Sequence, residues 1–341
     1  MNYNELLENA RKNVGPYCKA CAICNGIACS NKIPGPGAKG VGDNAIRNYS
    51  SWKDYKLIYD TISDVSEVDT SFNFFGLNLS NPIMIAPVGA VQSHYSNLYT
   101  DLEYNKIMLT TSRASNILGF VGDGLDENIV KDAVKVLSTL NGEGIITIKP
   151  WDIETMKKKI DISLKANPIA LACDIDASGL PFLKNRTPKA GCKTVSELKE
   201  IINYSKKPFI IKGILSVEAA RKAYLAGASA IVVSNHGGRV LDESVTTSSV
   251  LKEIAKEFKG KMMILVDGGI RSGADIFKAL ALGADACLIA RPYVVAIYGS
   301  SDEGVKILTD KLHSELADAM LMCGCKTLKD INYNMIKKEE R

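Results

Sequence analysis

The stretch Ala230-Ile231-Val232-Val233-Ser234-Asn235-His236-Gly237-Gly238-Arg239 joins a short apolar run to a polar loop. The apolar run is typical of a buried β-strand. The loop places an imidazole and a guanidinium at the end of that strand, beside two glycines that permit a tight turn. An imidazole can act as a base near neutral pH, and a guanidinium can hold both oxygens of a carboxylate. The stretch therefore predicts a base and an anion clamp at one end of a strand.

Apolar runs of the same kind recur along the chain, with helical stretches between them. Ala226-Gly227-Ala228 and Leu282-Gly283-Ala284 both mark a point where a helix turns into a strand, which indicates a repeated strand–helix unit. Eight short buried strands alternating with helices predict an α/β fold, a closed (β/α)8 TIM barrel rather than an open sheet. The predicted strands are Ile83–Ala86, Lys106–Thr110, Gly144–Ile148, Ile169–Cys173, Phe209–Lys212, Ala230–Ser234, Met263–Val266 and Ala286–Ile289.

The 341-residue chain is predicted to have two parts. Residues 81–341 are expected to form the barrel. Residues 1–80 are expected to form an N-terminal extension with a helix over residues 2–14, a cysteine-rich segment and a Gly/Pro-rich loop. A chain of this length is normal for one barrel with such an extension.

The composition excludes several classes of protein. A net charge of +4 without a dense lysine-arginine block argues against nucleic-acid binding. The first residues show no export signal, and no apolar stretch approaches the roughly 18 residues that a membrane span requires. We therefore expect a cytoplasmic protein with no nucleic-acid and no membrane partner.

Charged residues concentrate where the predicted strands end. Catalytic groups of a barrel lie at the carboxyl ends of its strands. A purely structural scaffold does not need so much charge at one face, so we expect a site there. The strand ends supply Arg113, Lys149, Asp174, Lys212, His236, Arg239, Asp267 and Arg291.

The segment Asp267-Gly268-Gly269-Ile270-Arg271-Ser272-Gly273 joins a strand to the start of a helix. Its backbone N–H groups can approach an anion, and Arg291 can add a two-pronged contact. Barrels often bind phosphate at their seventh and eighth strand–helix loops. The segment predicts a phosphate-bearing ligand, and IMP, FMN or a sugar phosphate would each fit.

These motifs resemble the FMN-dependent α-hydroxy acid oxidase and dehydrogenase family, which includes glycolate oxidase and lactate oxidase. The resemblance covers about residues 45–332 and is most specific at Ser234–Arg239. It implies that FMN sits at the barrel mouth and that a 2-hydroxy acid is oxidised to the 2-oxo acid. It also implies a homo-oligomer, often a tetramer. The other segments that carry it are Asn81–Pro87, Ile211–Gly213, Lys278–Ala284 and Ala290–Pro292.

The resemblance also implies roles for single residues. His236 would take the proton of the substrate hydroxyl, and Asp174 would steady the protonated imidazole. Lys212 would lie near flavin N1 and O2, and Arg239 would hold the substrate carboxylate. FMN would be lined by Pro87, Val88, Gly89, Thr111, Lys212, Ser234, Asp267, Gly268, Gly269, Arg271, Ala290 and Arg291.

The substrate side departs from the family pattern. Lys149 stands where the family usually has a tyrosine, and Arg113 replaces a familiar tryptophan. After the fourth strand, Arg186 is among the nearest cations to the place of a second carboxylate-binding arginine. Arg113, Lys149 or Arg186 are expected to bind a different or more anionic small substrate. The alternative is that they are ordinary charges of the mouth.

Four cysteines cluster in the extension. Cys18, Cys21, Cys24 and Cys29 are close to ferredoxin spacing, with one extra residue before the last cysteine. Such thiolates could bind a [4Fe–4S] cluster or zinc. A cluster beside FMN would pass electrons to a carrier protein, which favours a dehydrogenase over an O2-using oxidase. The alternative is a reduced, metal-free loop.

Two further functions stay open at this point. One is a non-redox FMN barrel enzyme such as type 2 isopentenyl-diphosphate isomerase. His236 with Arg239 argues against that enzyme, whereas the cations Arg113 and Lys149 would suit a diphosphate. The other is a flavin-binding protein without hydroxy acid turnover, which the missing tyrosine favours.

Overall fold

The N-terminal part of the chain packs around the barrel that follows it. Asn2 and Glu5 form a capping box that starts the first helix, as the predicted helix over residues 2–14 requires. This helix packs along the long helix near the C-terminus. The elements of this part are α1 (Tyr3–Asn13), α2 (Asp43–Lys53), β1 (Tyr55–Leu57), β2 (Phe72–Phe74) and β3 (Leu77–Leu79).

A closed barrel of eight parallel strands forms the centre of the structure, a computed structural model that describes residues 1–183 and 185–339. The last two residues of the predicted 81–341 barrel part therefore lie outside the described residues. Each strand pairs with its neighbours in chain order, and β11 closes the barrel against β4. The strands are β4 (Ile83–Ile85), β5 (Leu118–Val121), β6 (Ile145–Ile148), β7 (Ala170–Asp174), β8 (Phe209–Ile214), β9 (Ala230–Val233), β10 (Met263–Val266) and β11 (Ala286–Ile289).

Helices surround the barrel and follow its strands. None of the helices among the described residues is long and apolar enough to cross a membrane. The last of them is kinked at Ser300 and Ser301. The remaining elements are α3 (Val91–His94), α4 (Asp101–Ala114), α5 (Asn128–Ser138), α6 (Ile153–Leu164), α7 (Val195–Ser205), α8 (Val217–Leu225), α9 (Thr247–Phe258), α10 (Gly273–Ala281), α11 (Arg291–Met322) and β12 (Ile336–Lys338), which pairs with β1.

The predicted barrel is confirmed, and seven of the eight predicted strands overlap an observed one. The exception is Lys106–Thr110, which lies in α4. Thr100 and Glu103 form a capping box that starts this helix. Its buried residues Tyr104, Met108 and Thr111 follow helical spacing. The apolar run is therefore the buried face of a helix, and the second strand is β5.

Apolar side chains fill the interior of the barrel from the amino ends of the strands, and the end at the carboxyl ends stays open. Phe74 and Leu79 of the β2–β3 hairpin join the interior residues Phe120 and Ile210 in one buried cluster. Burying one such side chain contributes about 1.5–3 kcal/mol. The alternation along each strand then places polar residues one step further, in the top layer at the carboxyl ends. These residues are Lys149, Asp174, Lys212, Ser234 and Asp267.

Candidate active site

A cavity of about 790 Å³ opens at the carboxyl ends of the strands. Residues 33–36 of the N-terminal extension form part of its wall. Its volume lies within the usual range for small-molecule sites. The sequence-predicted residues that line it are Pro87, Val88, Gly89, Lys149, Asp174, Arg186, Lys212, His236, Arg239, Asp267, Gly268, Gly269, Arg271, Ala290 and Arg291.

His236 stands just beyond β9 in a left-handed backbone conformation (φ +55°). The hydroxyl of Ser234 accepts a hydrogen bond from the His236 backbone N–H at 3.1 Å and so helps to hold this turn. The ring atom Nδ1 lies 2.9 Å from Oδ1 of Asp176. With a carboxylate at Nδ1, the neutral ring carries its proton there and leaves the lone pair of Nε2 available.

The surroundings keep the imidazole of His236 neutral. Burial lowers its pKa well below the usual 6.5, and the cations of Lys212 and Lys149 lower it further. The charge of Asp174 opposes this shift without cancelling it. A neutral, oriented imidazole with a free nitrogen is a competent general base at neutral pH.

Asp174 lies close enough to pair with a protonated His236 ring, but another carboxylate accepts the hydrogen bond of that ring. Asp174 lies 4.0 Å from Nε2 of His236, whereas Asp176 holds Nδ1. Its Oδ2 instead accepts a hydrogen bond from Lys149, and both side chains of this pair are buried. The residue that orients His236 is therefore Asp176, two positions further along the chain.

Lys212 is the last inward-facing residue of β8 before the mouth of the barrel, and it is buried. Its ammonium donates to the hydroxyl of Ser234 at 2.9 Å and lies 3.3 Å from Asp267. Burial disfavours its charge, but Asp267, Asp176 and Asp174 outweigh burial and raise its pKa. A permanent cation thus stands at the floor of the cavity.

The arginines of the mouth bind the N-terminal extension. Nη1 of Arg239 donates to the carbonyls of Gly35 and Gly37 at 2.6 and 2.9 Å. The other two guanidinium nitrogens of Arg239 make no hydrogen bond within the described residues. Arg291 donates to Pro36 at 2.7 Å, and Arg271 donates to Cys24 at 2.7 Å. The extension is therefore a structural part of the site.

The predicted phosphate loop has the left-handed backbone that its glycines permit. Gly268 and Gly269 have φ of +87° and +85°. A Cβ on Gly269 would lie 2.1 Å from the carbonyl oxygen of Asn48, so the close packing of α2 also requires glycine there. Trp52 of the same helix donates to the Gly268 carbonyl at 2.8 Å. Contacts with α2 thus hold the loop in this conformation.

Thr111 and Arg113 lie in α4 and not at a strand end, so their predicted places in the mouth are wrong. Arg113 pairs with Glu143 at 2.6 Å and donates to the Ile117 carbonyl at 3.2 Å. Both partners precede the strands β6 and β5, at the amino ends of the barrel strands. Arg113 is therefore at the opposite end of the barrel from His236. Neither residue lines the cavity.

The four clustered cysteines are free and half-buried. Burial raises the pKa of the Cys18 thiol to about 11, so this thiol stays protonated at neutral pH. Among residues 1–183 and 185–339, no three histidine, cysteine, aspartate or glutamate side chains form a group that could hold a metal ion. The structure thus gives no support to the predicted metal site.

Two residues that take part in the site, Asp176 and His94, were missed by sequence reasoning. Asp176 follows β7 by two residues and is reached only because the chain turns in a 3-10 helix there. His94 lines the cavity at the end of α3, on the loop that follows Pro87. The only sequence signal for His94 was its rarity, as one of three histidines.

The residues present fit FMN. Asp267 lines the cavity, and its Oδ1 is buried without a hydrogen-bond partner among the described residues, so this atom calls for a polar ligand. Asp267 can accept hydrogen bonds from ribityl hydroxyls, and Lys212 can lie against the electron-rich edge of the flavin. Arg271 and Arg291 can reach a phosphate beside the Gly268–Gly269 loop.

Known proteins resemble the chain over most of its length. The sequence matches the FMN-dependent dehydrogenase family over residues 36–117 and 156–338. A peroxisomal (S)-2-hydroxyacid oxidase of Arabidopsis thaliana is 32% identical, covering 81% of this chain and 83% of the relative.

Two further matches extend the comparison. An L-lactate dehydrogenase of Ectopseudomonas mendocina is 37% identical over 55% of this chain and 49% of its own. The crystal structure of mandelate oxidase with benzoylformic acid superposes with a TM-score of 0.78 at 25% identity, covering 98% and 97% of the two chains. The chain belongs to the FMN-dependent dehydrogenase family of α-hydroxy acid oxidoreductases.

Proposed function

We propose that this protein oxidises a small 2-hydroxy acid to the 2-oxo acid with His236 as the base. The observation that carries the proposal is the neutral imidazole, held by Asp176 at 2.9 Å and open at Nε2. It stands in one cavity with the half-buried Arg239 and the buried cations Lys149 and Lys212.

The reaction removes two hydrogens from the substrate. Nε2 of His236 takes the hydroxyl proton, and Asp176 stabilises the imidazolium that forms. FMN, when bound beside Lys212 and the Gly268–Gly269 loop, would supply the two-electron acceptor that the oxidation requires. Lys212 offsets negative charge that develops at the floor of the site.

Arg239 is proposed to bind the substrate carboxylate. Two of its guanidinium nitrogens make no hydrogen bond within the described part of the chain, and a carboxylate can take both. Lys149 is proposed to contact the substrate from the neighbouring side. Because Asp174 neutralises Lys149, the pair adds little net charge, which favours one carboxylate over two.

Part of the cavity wall is apolar. Ile33, Leu180, Phe182 and Leu183 line it, beside the segment from Pro34 to Pro36. Burial against this apolar surface stabilises a hydrocarbon side chain of the substrate. A methyl group or a hydrogen in the same place would bury too little apolar area to gain from it. The proposed substrate is therefore a 2-hydroxy acid with a bulky apolar or aromatic side chain.

Anaerobic reduction of the holoprotein by a panel of 2-hydroxy acids tests this proposal. Mandelate should bleach the flavin absorbance faster than lactate or glycolate. His236→Asn should abolish bleaching while the flavin stays bound. Flavin that every acid leaves oxidised would contradict the proposal, and would favour the isomerase or a non-catalytic flavoprotein. Loss of flavin from the variant would mean that His236 is structural.

Exposure of the bleached protein to air separates an oxidase from a dehydrogenase. The relatives include both classes. Fast return of the flavin spectrum, with hydrogen peroxide formed in step with substrate, identifies an oxidase. Slow return in air and fast return with an artificial one-electron acceptor identify the dehydrogenase that the cysteine segment suggested.

A further inference from the structure

His94 is a polar group of the cavity that the reaction described above does not use. It ends α3, and 9% of the residue is exposed. The backbone N–H of Gly35 donates to its Nδ1 at 3.1 Å. Because Nδ1 accepts this hydrogen bond, the neutral ring carries its proton on Nε2.

The ring of His94 stays neutral at any working pH. Burial lowers its pKa to about 3, and the charges of Arg239 and Lys149 act in the same direction. Nε2 makes no hydrogen bond within the part of the chain that the structure describes. A fixed N–H donor therefore lines the cavity without a protein acceptor.

The position of His94 points to the substrate rather than to the flavin phosphate. Its ring centroid lies 5.6 Å from that of Phe182 on the apolar wall. Gly35, whose N–H donates to His94, also accepts a hydrogen bond from Arg239 at its carbonyl. His94 is therefore joined through one residue to the cation that is proposed to bind the substrate carboxylate.

We propose that His94 binds the substrate by donating an Nε2–H hydrogen bond to its carboxylate. Gly35 fixes the tautomer, so the N-terminal extension sets the orientation of the donor. The inference rests on the proposed function, because it needs a carboxylate beside Arg239.

Two substitutions at position 94 distinguish the role of Nδ1 from the role of Nε2. His94→Asn keeps an acceptor near Nδ1 for Gly35 but has no donor at the position of Nε2. His94→Gln can present an N–H at that position. Benzoylformate, titrated into the oxidised holoprotein and followed by flavin absorbance, is the probe. His94→Asn should weaken its binding about ten- to hundredfold, the range for a hydrogen bond to a charged group, and His94→Gln should restore part of it.

His313→Gln is the matched control. His313 lies in α11, bonds the hydroxyl of Thr70 at 2.8 Å and does not line the cavity, so binding should match the unmodified protein. His94→Phe, which keeps the ring packing on Phe182, should bind as weakly as His94→Asn.

Three outcomes would overturn the inference. Tight binding by either His94→Asn or His94→Phe would show that no donor is needed. Equal weakening in His94→Gln and His94→Asn would show that an N–H at the position of Nε2 does not contribute to binding. If the unmodified protein is reduced by no 2-hydroxy acid and does not bind benzoylformate, the proposed function fails and the inference fails with it.

Discussion

The hydrogen bond between Asp176 and His236 is the contact on which the chemistry depends most. Asp176→Asn keeps the shape of the side chain but removes the charge that fixes the Nδ1 tautomer and stabilises the imidazolium. We expect the rate of flavin reduction to fall about 10²–10⁴-fold while FMN stays bound. Stopped-flow absorbance under anaerobic conditions measures this rate.

Asp174→Asn provides the matched comparison. Asp174 lies 4.0 Å from Nε2 and pairs with Lys149, so its loss should disturb substrate binding more than the reduction rate. If Asp174→Asn slowed reduction as strongly as expected of Asp176→Asn, and Asp176→Asn had little effect, Asp174 would be the orienting residue after all.

The sequence predicts residues that lie at strand ends better than residues placed by loops. His236, Arg239 and Lys212 follow apolar runs directly, so their positions at the mouth could be predicted from the pattern alone. Asp176 reaches His236 through a 3-10 turn after β7, and His94 through a short helix after the first barrel strand. Such turns depend on tertiary packing, which a single sequence does not display.

At the level of elements, one misread helix explains both misplaced residues. The apolar run at 106–110 has the length of a strand, and short runs do not distinguish a strand from the buried face of a helix. The Thr100–Glu103 capping box was the local signal for a helix. Because this run is part of α4, Thr111 and Arg113 lie on that helix and not at the mouth of the barrel.

The N-terminal extension is the element whose role the sequence concealed. Its Pro/Gly-rich loop predicted only an irregular connection, yet its carbonyls at Gly35, Pro36 and Gly37 bind two arginines of the site. Backbone groups carry no sequence signature. The wall that they form could therefore be seen only in three dimensions.

Gly37→Ala tests whether this loop positions the site. A Cβ at this glycine would lie 2.1 Å from the carbonyl oxygen of Cys29, so the turn must shift. The shift should pull the Gly37 carbonyl away from Arg239 and weaken benzoylformate binding by about tenfold, the loss of roughly one hydrogen bond to a charged group. Titration of the oxidised flavin measures the dissociation constant.

Gly191→Ala is the control for this substitution, because a Cβ at Gly191 meets no atom within 4 Å. It should bind benzoylformate as the unmodified protein does. Unchanged binding in Gly37→Ala would show that the loop tolerates the shift and does not position Arg239. A lower melting temperature without weaker binding would assign Gly37 to stability alone.

At the scale of the whole molecule, the site makes stability depend on pH. Burial, followed by nearby cations, lowers the pKa of His94 to about 3 and the pKa of His236 well below 6.5. The unfolded chain binds protons at both histidines below pH 6.5, whereas the folded protein does not. Their contribution to stability is therefore complete above pH 6.5 and is lost as the pH falls towards the folded values.

Substitution of one histidine distinguishes its contribution to the pH dependence of stability from the contribution of carboxylates that titrate in the same pH range. Each histidine should lower the free energy of unfolding by about 1.4 kcal/mol per pH unit once the pH is well below 6.5. His94→Phe keeps the apolar packing and removes one of these protons. Between pH 7 and pH 5 the holoprotein should lose about 2 kcal/mol more than His94→Phe does, as measured by urea unfolding at each pH. Equal losses in the two proteins would mean that His94 titrates alike in both states, and that the neutral, Gly35-bound ring does not persist in solution.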